Sequence, residues 1–494
     1  MGLALGIDLG TQGAKALVVD GSSGRVVGRG AAPLTVDSPR PGAAEQRPDD
    51  WWSAVVRAVR QAVACDGAGP ARVSSIGVSG QQHGCVALDG ADRPVHPAKL
   101  WCDTECAAEA EALSAALGRR VPAGFTAPKL PWLRANRPDA FARIRRVMLP
   151  HDWVNLCLTG DAFTDAGDAS GTGWMDVAAR THDRAAMDLV DPSLHAWVPR
   201  IVPADAVAGT LRAEAAAELG LRPGIAVAPG SGDNMMSALG AGAVDHGTLV
   251  VSLGTSGTVF GASDAPVADP EGLVAAFCDA TGRWLPLVCT MNCTVVTEEV
   301  RAAFGMPHER LTGLAAAEPP GAHGASFLPY LQGERVPDWP HATGALLGLR
   351  PGLLRPGVVY RAALEGATFA LLHGARRLAA LGVSARELRV VGGASRNALW
   401  RQVLADAFGA PLRFPAEPES AALGAALQGA AVAAGASVAG FVREHPPAML
   451  AEVVHPEPAA ADAMAEAFAR HESRAAAWAA EAAGRTDSAA RARR

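Results

Sequence analysis

Over the first thirty positions apolar residues gather into short runs broken by glycine-rich turns, at Leu3–Asp8, Ala14–Asp20 and Gly24–Gly30. Runs of that length between turn residues predict three consecutive strands. The period then changes. From Asp49 to Ala64 apolar residues recur at helical spacing, with Trp52, Val55, Val56 and Val59 on one face and Asp49 and Asp50 as caps, so a helix is predicted there. Strand patterns return at Val73–Ser79, Cys85–Asp89, Arg146–Leu149 and Ile225–Pro229. Helical stretches lie between them, including Cys102–Leu117.

The same grammar restarts at Gly247–Ser252, with Gly257–Ala262 as the returning strand. It continues through a helix at Val358–Leu381, a strand at Leu388–Val391, a helix at Asn397–Phe408 and a small-residue helix after Ser420. Strands and helices interleaved in this order predict α/β layers, with a boundary near Ala241–His246. The expected division is a first domain over 1–243, a second over 244–454, an Ala- and Glu-rich helix over 455–484 packed across the second domain, and a solvated tail over 485–494 carrying Arg485, Arg491, Arg493 and Arg494.

The restart copies a local motif. Leu9-Gly10-Thr11-Gln12-Gly13 returns as Leu253-Gly254-Thr255-Ser256-Gly257, each between two apolar runs. A single Gly-Thr turn is an ordinary hairpin connection. Two matched copies point instead to two anion cradles, because glycines let backbone N–H groups turn inward and the Thr hydroxyl adds a donor. Asp8 ends a buried strand beside the first cradle, where a carboxylate suits Mg²⁺ held through water; the lesser alternative is a helix cap or turn aspartate. Asp233, in Gly230-Ser231-Gly232-Asp233-Asn234, lies between the cradles at a glycine-flanked strand end, placed to take a proton from a substrate hydroxyl. Gln81-Gln82-His83-Gly84 and the nearby Trp101-Cys102-Asp103 carry the amide, imidazole and carboxylate groups that read polyol hydroxyls. Gly392-Gly393-Ala394 follows a strand and would let the backbone lie flat against a purine.

Composition narrows the field. The chain has 494 residues, 49% hydrophobic and 19% charged, which fits a globular protein of several domains. A net charge of −6 provides no field to gather nucleic acid or an anionic membrane. Eight scattered cysteines are too sparse for a disulfide framework, and Cys102 and Cys106 have no second pair with metal spacing, so reduced thiols in a cytoplasmic protein are expected. The N-terminal apolar run contains Asp8 and lacks a basic flank, unlike a secretory signal. Ala421–Val442 is uncharged over a membrane-spanning length, but its Ala and Gly gain little from lipid, and a tightly packed helix under a nucleotide is expected. Only Lys15, Lys99 and Lys129 are lysine among the 44 basic residues. Neither a Walker A loop nor a Gly-x-Gly-x-x-Gly dinucleotide loop is present.

With these residues assembled, the chain resembles the FGGY carbohydrate kinases from about Leu3 to Leu450. The resemblance is carried by Gly6-Ile7-Asp8-Leu9-Gly10-Thr11, the His83 loop, Gly124-Phe125-Thr126-Ala127-Pro128-Lys129-Leu130, Gly232-Asp233-Asn234, the second Gly-Thr turn, Leu328-Pro329-Tyr330-Leu331-Gln332-Gly333-Glu334-Arg335 and Gly392-Gly393-Ala394. It implies a two-domain actin-like (ribonuclease H-like) ATPase fold with the active site in the interdomain cleft. It also implies ATP and Mg²⁺ as cofactors, phosphorylation of the 5-hydroxyl of D-xylulose, and a dimer.

Residue by residue, the resemblance implies Asp233 as base and Asp8 as metal-associated carboxylate, the two sharing the ion. Gln82, His83, Asp103, Asp233 and Asn234 would bind the sugar. The nucleotide would meet Gly10, Thr11, Gln12, Lys15, Gly254, Thr255, Ser256, Gly257, Gly393, Ala394 and Asn397. The segment after Trp101 departs from the family pattern, with Cys102, Asp103 and Glu105 where Asn-Asp and a following Arg are common. That departure leaves a ribulokinase, gluconokinase or other polyol kinase open. A non-catalytic sugar sensor on the same fold is the rival from another class.

Overall fold

The computed structural model describes residues 2–492, with side chains to Glu481. Two sheets are built from the same plan. In the first, β1 (Leu3–Gly10), β2 (Gly13–Asp20) and β3 (Val26–Pro33) form an antiparallel meander. After helix α1 (Pro48–Val63), β4 (Val73–Gly80) returns parallel to β1. Two helices that matter below follow, α2 (Lys129–Asn136) and α3 (Pro150–Thr159). The sheet is completed by β5 (Gly209–Thr210), β6 (Ala226–Val227) and β7 (Ser231–Gly232), the last two parallel to β4, and the chain leaves through α4 (Asp233–Gly240).

The second sheet repeats this order. A meander of β8 (Thr248–Leu253), β9 (Gly257–Gly261) and β10 (Leu287–Thr290) precedes the long helix α5 (Pro356–Ala380). Then β11 (Glu387–Val391) pairs parallel with β8, and β12 (Leu412–Pro415) follows α6 (Ala398–Phe408). Duplication of meander, crossover helix and parallel strand is the two-domain actin-like arrangement. It begins locally at the two Gly-Thr turns.

Helix α1 shows how sequence sets this packing. Pro48 occupies its first turn, Asp49 and Asp50 lie at the positive end of the helix dipole, and Arg60 lies at the negative end. Its buried face is Trp51, Ala54, Val55, Ala58, Val59 and Ala62. This corrects the predicted face: Trp52 and Val56 sit on the shoulder, and Trp52 Nε1 donates to Glu218 at 2.7 Å. The alanines face inward because β3 offers glycines there. A Cβ at Gly28 or Gly30 would lie 2.2 Å from Ala62 O or 2.0 Å from Ala58 O.

The uncharged stretch also differs from its prediction. It is two helices, α7 (Ser420–Ala433) and α8 (Val438–Glu444), bent by 107°. Gly435 at a φ of 66° ends the first, and the Ser437 side chain caps the second. Among the described residues no single helix is long and apolar enough to cross a membrane. Although α7 lies late in the chain, it packs on β1, β4 and α4 of the first half. A joint core of Leu17, Met235, Met236, Phe260, Leu423 and Leu427 thus fills the space between the sheets, separate from the core of each half.

The chain closes with β13 (Met449–Val454) and α9 (Pro458–Ala492), which packs on α5 and α6. The helix continues past the predicted end at 484. The expected tail falls on residues whose side chains, and at 493 and 494 whose backbone, lie outside those described. All eight cysteines are free.

Candidate active site

In each sheet the parallel strands end on the same side, and the residues singled out from sequence sit at those carboxyl ends, where α/β sheets place their ligands. Leu9 of β1 pairs with Gly80 of β4, and Gly232 of β7 pairs with the same Gly80. The first Gly-Thr turn, the Gln82-His83 loop and Asp233 therefore emerge side by side. In the second sheet Ser252 pairs with Val391, which sets Gly254-Thr255-Ser256 next to Gly392-Gly393-Ala394. Between the sheets lies a cavity of about 990 Å³ lined by Gln82, His83, Asp233, Asn234, Gly254 and Ser256, among others.

Asp233 opens α4. Its Oδ1 accepts from the Asn234 backbone N–H at 2.8 Å and from Asn234 Nδ2 at 3.1 Å, and the same Nδ2 donates to Gln82 Oε1 at 2.8 Å. A Cβ at Gly232 would meet the Gln82 side chain at 2.6 Å, so only glycine lets the Asp233 segment come this close to the Gln82 loop. Among the described residues Gln82 Nε2 is buried without a partner, a donor left for a ligand. Burial, then the charges of Asp8 and Asp168, pushes the Asp233 carboxyl up to about 7. Asp8 is pushed up to about 6 by burial, against a 2.8 Å hydrogen bond from Ser79 and the nearby Lys15. Two carboxylates, Asp8 buried and Asp233 half-buried, the first raising the proton affinity of the second, form a site that a divalent cation would neutralise.

The two turns are not equivalent. Thr11 Oγ1 donates to Gln81 Oε1 at 2.9 Å and accepts from Trp101 Nε1 at 3.0 Å, so its proton is spent and the first turn offers only backbone donors. This corrects the expectation that both Thr hydroxyls face an anion. In the second turn Gly254 and Thr255 are exposed and Ser256 is half-buried, with the carbonyls of Gly254 and Thr255 held by Thr294 and Cys293 N–H groups at 3.0 Å. Lys15 pairs with Glu419, which also bears on Asp8. Gln12 accepts from the Leu34 N–H at 2.9 Å through its carbonyl. Gly392 has a φ of 92° and abuts Leu253, while Gly393 has open space above it. Asn397 caps α6 through Trp400 N at 3.1 Å and donates to Thr312 Oγ1 at 2.9 Å.

His83 has a φ of 66°, rare for a side-chain-bearing residue. Its carbonyl accepts from Lys129 Nζ at 2.6 Å and Thr126 Oγ1 at 3.2 Å, and its ring lies 4.6 Å from that of Phe125. Burial, then Lys129 and Arg335, pushes the imidazole down to about 3, leaving it neutral, with one donor and one acceptor nitrogen. Lys129 also donates to Gly124 O at 2.7 Å.

Asp103 is not brought to this site. It is fully buried, with Oδ2 accepting from Lys99 Nζ at 2.8 Å and Ala44 N at 2.9 Å. Glu105 takes Lys99 at 2.7 Å and Arg40 at 2.7 Å. The Cys102–Glu105 departure is thus an ion-pair knot: Glu45, Asp103 and Glu105 converge, and the Lys99 ammonium is already their cation. Two features escaped sequence reading. One is a buried group of His151, Asp152, Asp165 and Asp168 beneath Gly80 and Gly230, in which Ser231 Oγ donates to Asp165 at 2.7 Å. The other is Arg335, which enters the cavity from the second domain. Its Gly-Glu-Arg motif was visible, but nothing in the linear sequence placed it at the cleft.

Comparison with known proteins agrees with this geometry. Residues 3–240 match the N-terminal domain, and residues 249–433 the C-terminal domain, of the FGGY family of carbohydrate kinases. Xylulose kinase of Haemophilus influenzae is 39% identical over 441 residues, covering 86% of this chain and 89% of its own. That of Streptomyces rubiginosus is 41% identical over 461 residues, covering 89% and 90%. The crystal structure of a xyloylose kinase from Brucella ovis superposes with a TM-score of 0.89 at 37% identity, covering 96% of this chain and 99% of that one. Two domains with repeated Gly-Thr turns, a shared cleft and these relatives lead to one assignment: the chain belongs to the FGGY family of carbohydrate kinases.

Proposed function

We propose that this protein transfers the γ-phosphoryl group of ATP to the 5-hydroxyl of D-xylulose. The observation that carries the reading is the hydrogen-bonded set Gln82–Asn234–Asp233, which joins a hydroxyl-reading loop to a carboxylate inside the cavity between the two turns. Relatives named xylulose kinase supply the sugar.

Phosphoryl transfer asks the protein for alignment and charge neutralisation more than for covalent chemistry. Gln82 and His83 would orient the sugar so that its 5-hydroxyl meets Asp233, which accepts the proton as the oxygen attacks. The backbone N–H groups of the first turn, and those with the hydroxyls of Thr255 and Ser256 in the second, would cradle the β- and γ-phosphates. Asp8 and Asp233 would hold Mg²⁺, which when bound supplies neutralisation of phosphate charge. Gly393 and Ala394 would lie against the nucleotide, in a protein working with reduced thiols in the cytoplasm.

The test is ADP release across D-xylulose, D-ribulose, gluconate and glycerol. D-xylulose is expected to exceed the others in kcat/KM by at least about tenfold, the discrimination a few hydroxyl contacts provide. A preference for gluconate or D-ribulose would overturn the sugar assignment while leaving the kinase chemistry intact.

A further inference from the structure

Most cations around the cleft are already engaged. Lys129 is held by two carbonyls, Lys15 by Glu419, Arg120 by Asp338 at 3.1 Å and Arg119 by Gly173 O at 2.7 Å. Arg335 differs. Among the described residues its guanidinium meets no carboxylate, and its side chain makes only a long 3.9 Å contact with Cys289 Sγ. An arginine half-buried in a cleft wall without an anion is costly, so its position is explained by an anion that arrives with substrate.

Its backbone, by contrast, is fixed. The buried Glu334 carboxylate accepts from Met291 N at 2.6 Å, Arg335 N at 2.7 Å and Asn292 Nδ2 at 3.0 Å, and Asn292 Nδ2 also donates to Gly333 O at 2.7 Å. The next two residues, Cys293 and Thr294, bind the carbonyls of Thr255 and Gly254. A continuous run of hydrogen bonds therefore links the Arg335 backbone to the second phosphate turn. On its other side the Arg335 charge is felt at His83, and at Cys289, which also feels Asp233. The cation stands between the turn that cradles phosphate and the groups that hold the sugar and its proton acceptor.

We propose that Arg335 is a catalytic residue supplied by the second domain, and that its guanidinium binds the oxygens of the phosphoryl group in flight. The inference rests on the kinase reading above. In the step, the sugar 5-oxygen forms a bond to the γ-phosphorus as the bond to the β,γ-bridging oxygen breaks. The hydroxyl proton passes to Asp233 and the bridging electron pair leaves with ADP. Arg335 exchanges no proton: its permanently charged planar fork matches an oxyanion and meets negative charge as it spreads over the transferring group. A neutral sugar would not require a full positive charge fixed to a phosphate turn.

The test compares Arg335→Met and Arg335→Lys with the wild type in steady-state kinetics and in binding of ADP with aluminium fluoride plus D-xylulose. Arg335→Met is expected to lower kcat about 10²–10³-fold, the cost of removing one preorganised charge donor, with both KM values within about threefold. It should weaken the aluminium fluoride complex by a similar factor while ADP alone binds normally. Arg335→Lys, which keeps the charge and the fold, should recover part of kcat at an unchanged melting temperature. A kcat within about threefold of wild type in Arg335→Met, or a loss confined to the KM for sugar, overturns the proposal. Wild-type turnover run alongside separates the two claims, since its absence would strike the kinase reading and not Arg335.

Discussion

The His83 carbonyl is held by an ammonium that, among the described residues, has no anionic partner. Lys129 is fully buried, and burial, against the nearby Cys106 and Cys85, pushes it down to about 8. Even as a neutral amine it keeps two N–H donors for its two carbonyl acceptors, so its task is geometric. Lys129→Met should leave those carbonyls unmet at about 1–3 kcal/mol and let the loop relax from its φ of 66°. The expected readout is a KM for D-xylulose raised about tenfold or more, with the KM for ATP unchanged. Asp233→Ala acts on the other parameter: kcat should fall by about 10³-fold or more while ATP binding, followed by calorimetry, persists. At this scale the gathering of Gln82, His83, Asp233 and Asn234 on one cavity was legible because their polar motifs follow buried strands. Asp103 was misread because its neighbour Trp101 does line the cavity; one residue of separation cannot reveal which side chain turns inward, and Lys99 captures this one.

Between elements, four glycines set how close the two halves come. A Cβ at Gly6 would lie 1.9 Å from Ala422 O, at Gly77 1.9 Å from Ala425 O, at Gly240 1.8 Å from Ser420 O and at Gly424 1.9 Å from Met236 O. These contacts seat α7 on β1, β4 and α4, and through β1 they position Asp8. Gly424→Ala should therefore destabilise by about 1–3 kcal/mol through overpacking, seen as a lower melting temperature. The same change on an exposed helix would stabilise. Small-residue composition made a tightly packed helix legible, but not its break at Gly435, because an αL glycine and a mid-helix glycine look alike in sequence.

Helix α3 carries His151, where burial, which lowers its proton affinity, is outweighed by Asp152, Asp168 and Asp165, so the group is raised to about 9. A raised histidine contributes stability fully present below its unfolded value near 6.5 and lost as pH rises through about 9. The melting-temperature gap between wild type and His151→Gln should accordingly be widest below pH 6.5 and shrink toward pH 9. A gap that grew over this interval would contradict the assignment.

For the molecule as a whole, the duplicated Gly-Thr turn was the most informative sequence signal because it marks the start of each sheet, and topology follows from that start. What the chain could not reveal was long-range: that α7 would cross to the first sheet, that Thr11 would spend its proton on Gln81, and that Arg335 would reach the cleft. Each depends on contacts between residues far apart in the sequence, such as Thr11 with Gln81 or Gly6 with Ala422, which only the folded chain brings together. The central claim is that the cleft aligns the ATP γ-phosphate with one sugar hydroxyl and that Asp233 takes its proton. The most direct measurement is phosphorus–carbon coupling in NMR spectra of the product formed from ATP and carbon-13-labelled D-xylulose by wild type and by Asp233→Asn. Coupling at C5 from the wild type, and none from a variant that still binds ATP, is the predicted result. Phosphate on another carbon, or C5 product formed by Asp233→Asn at the wild-type rate, would contradict it.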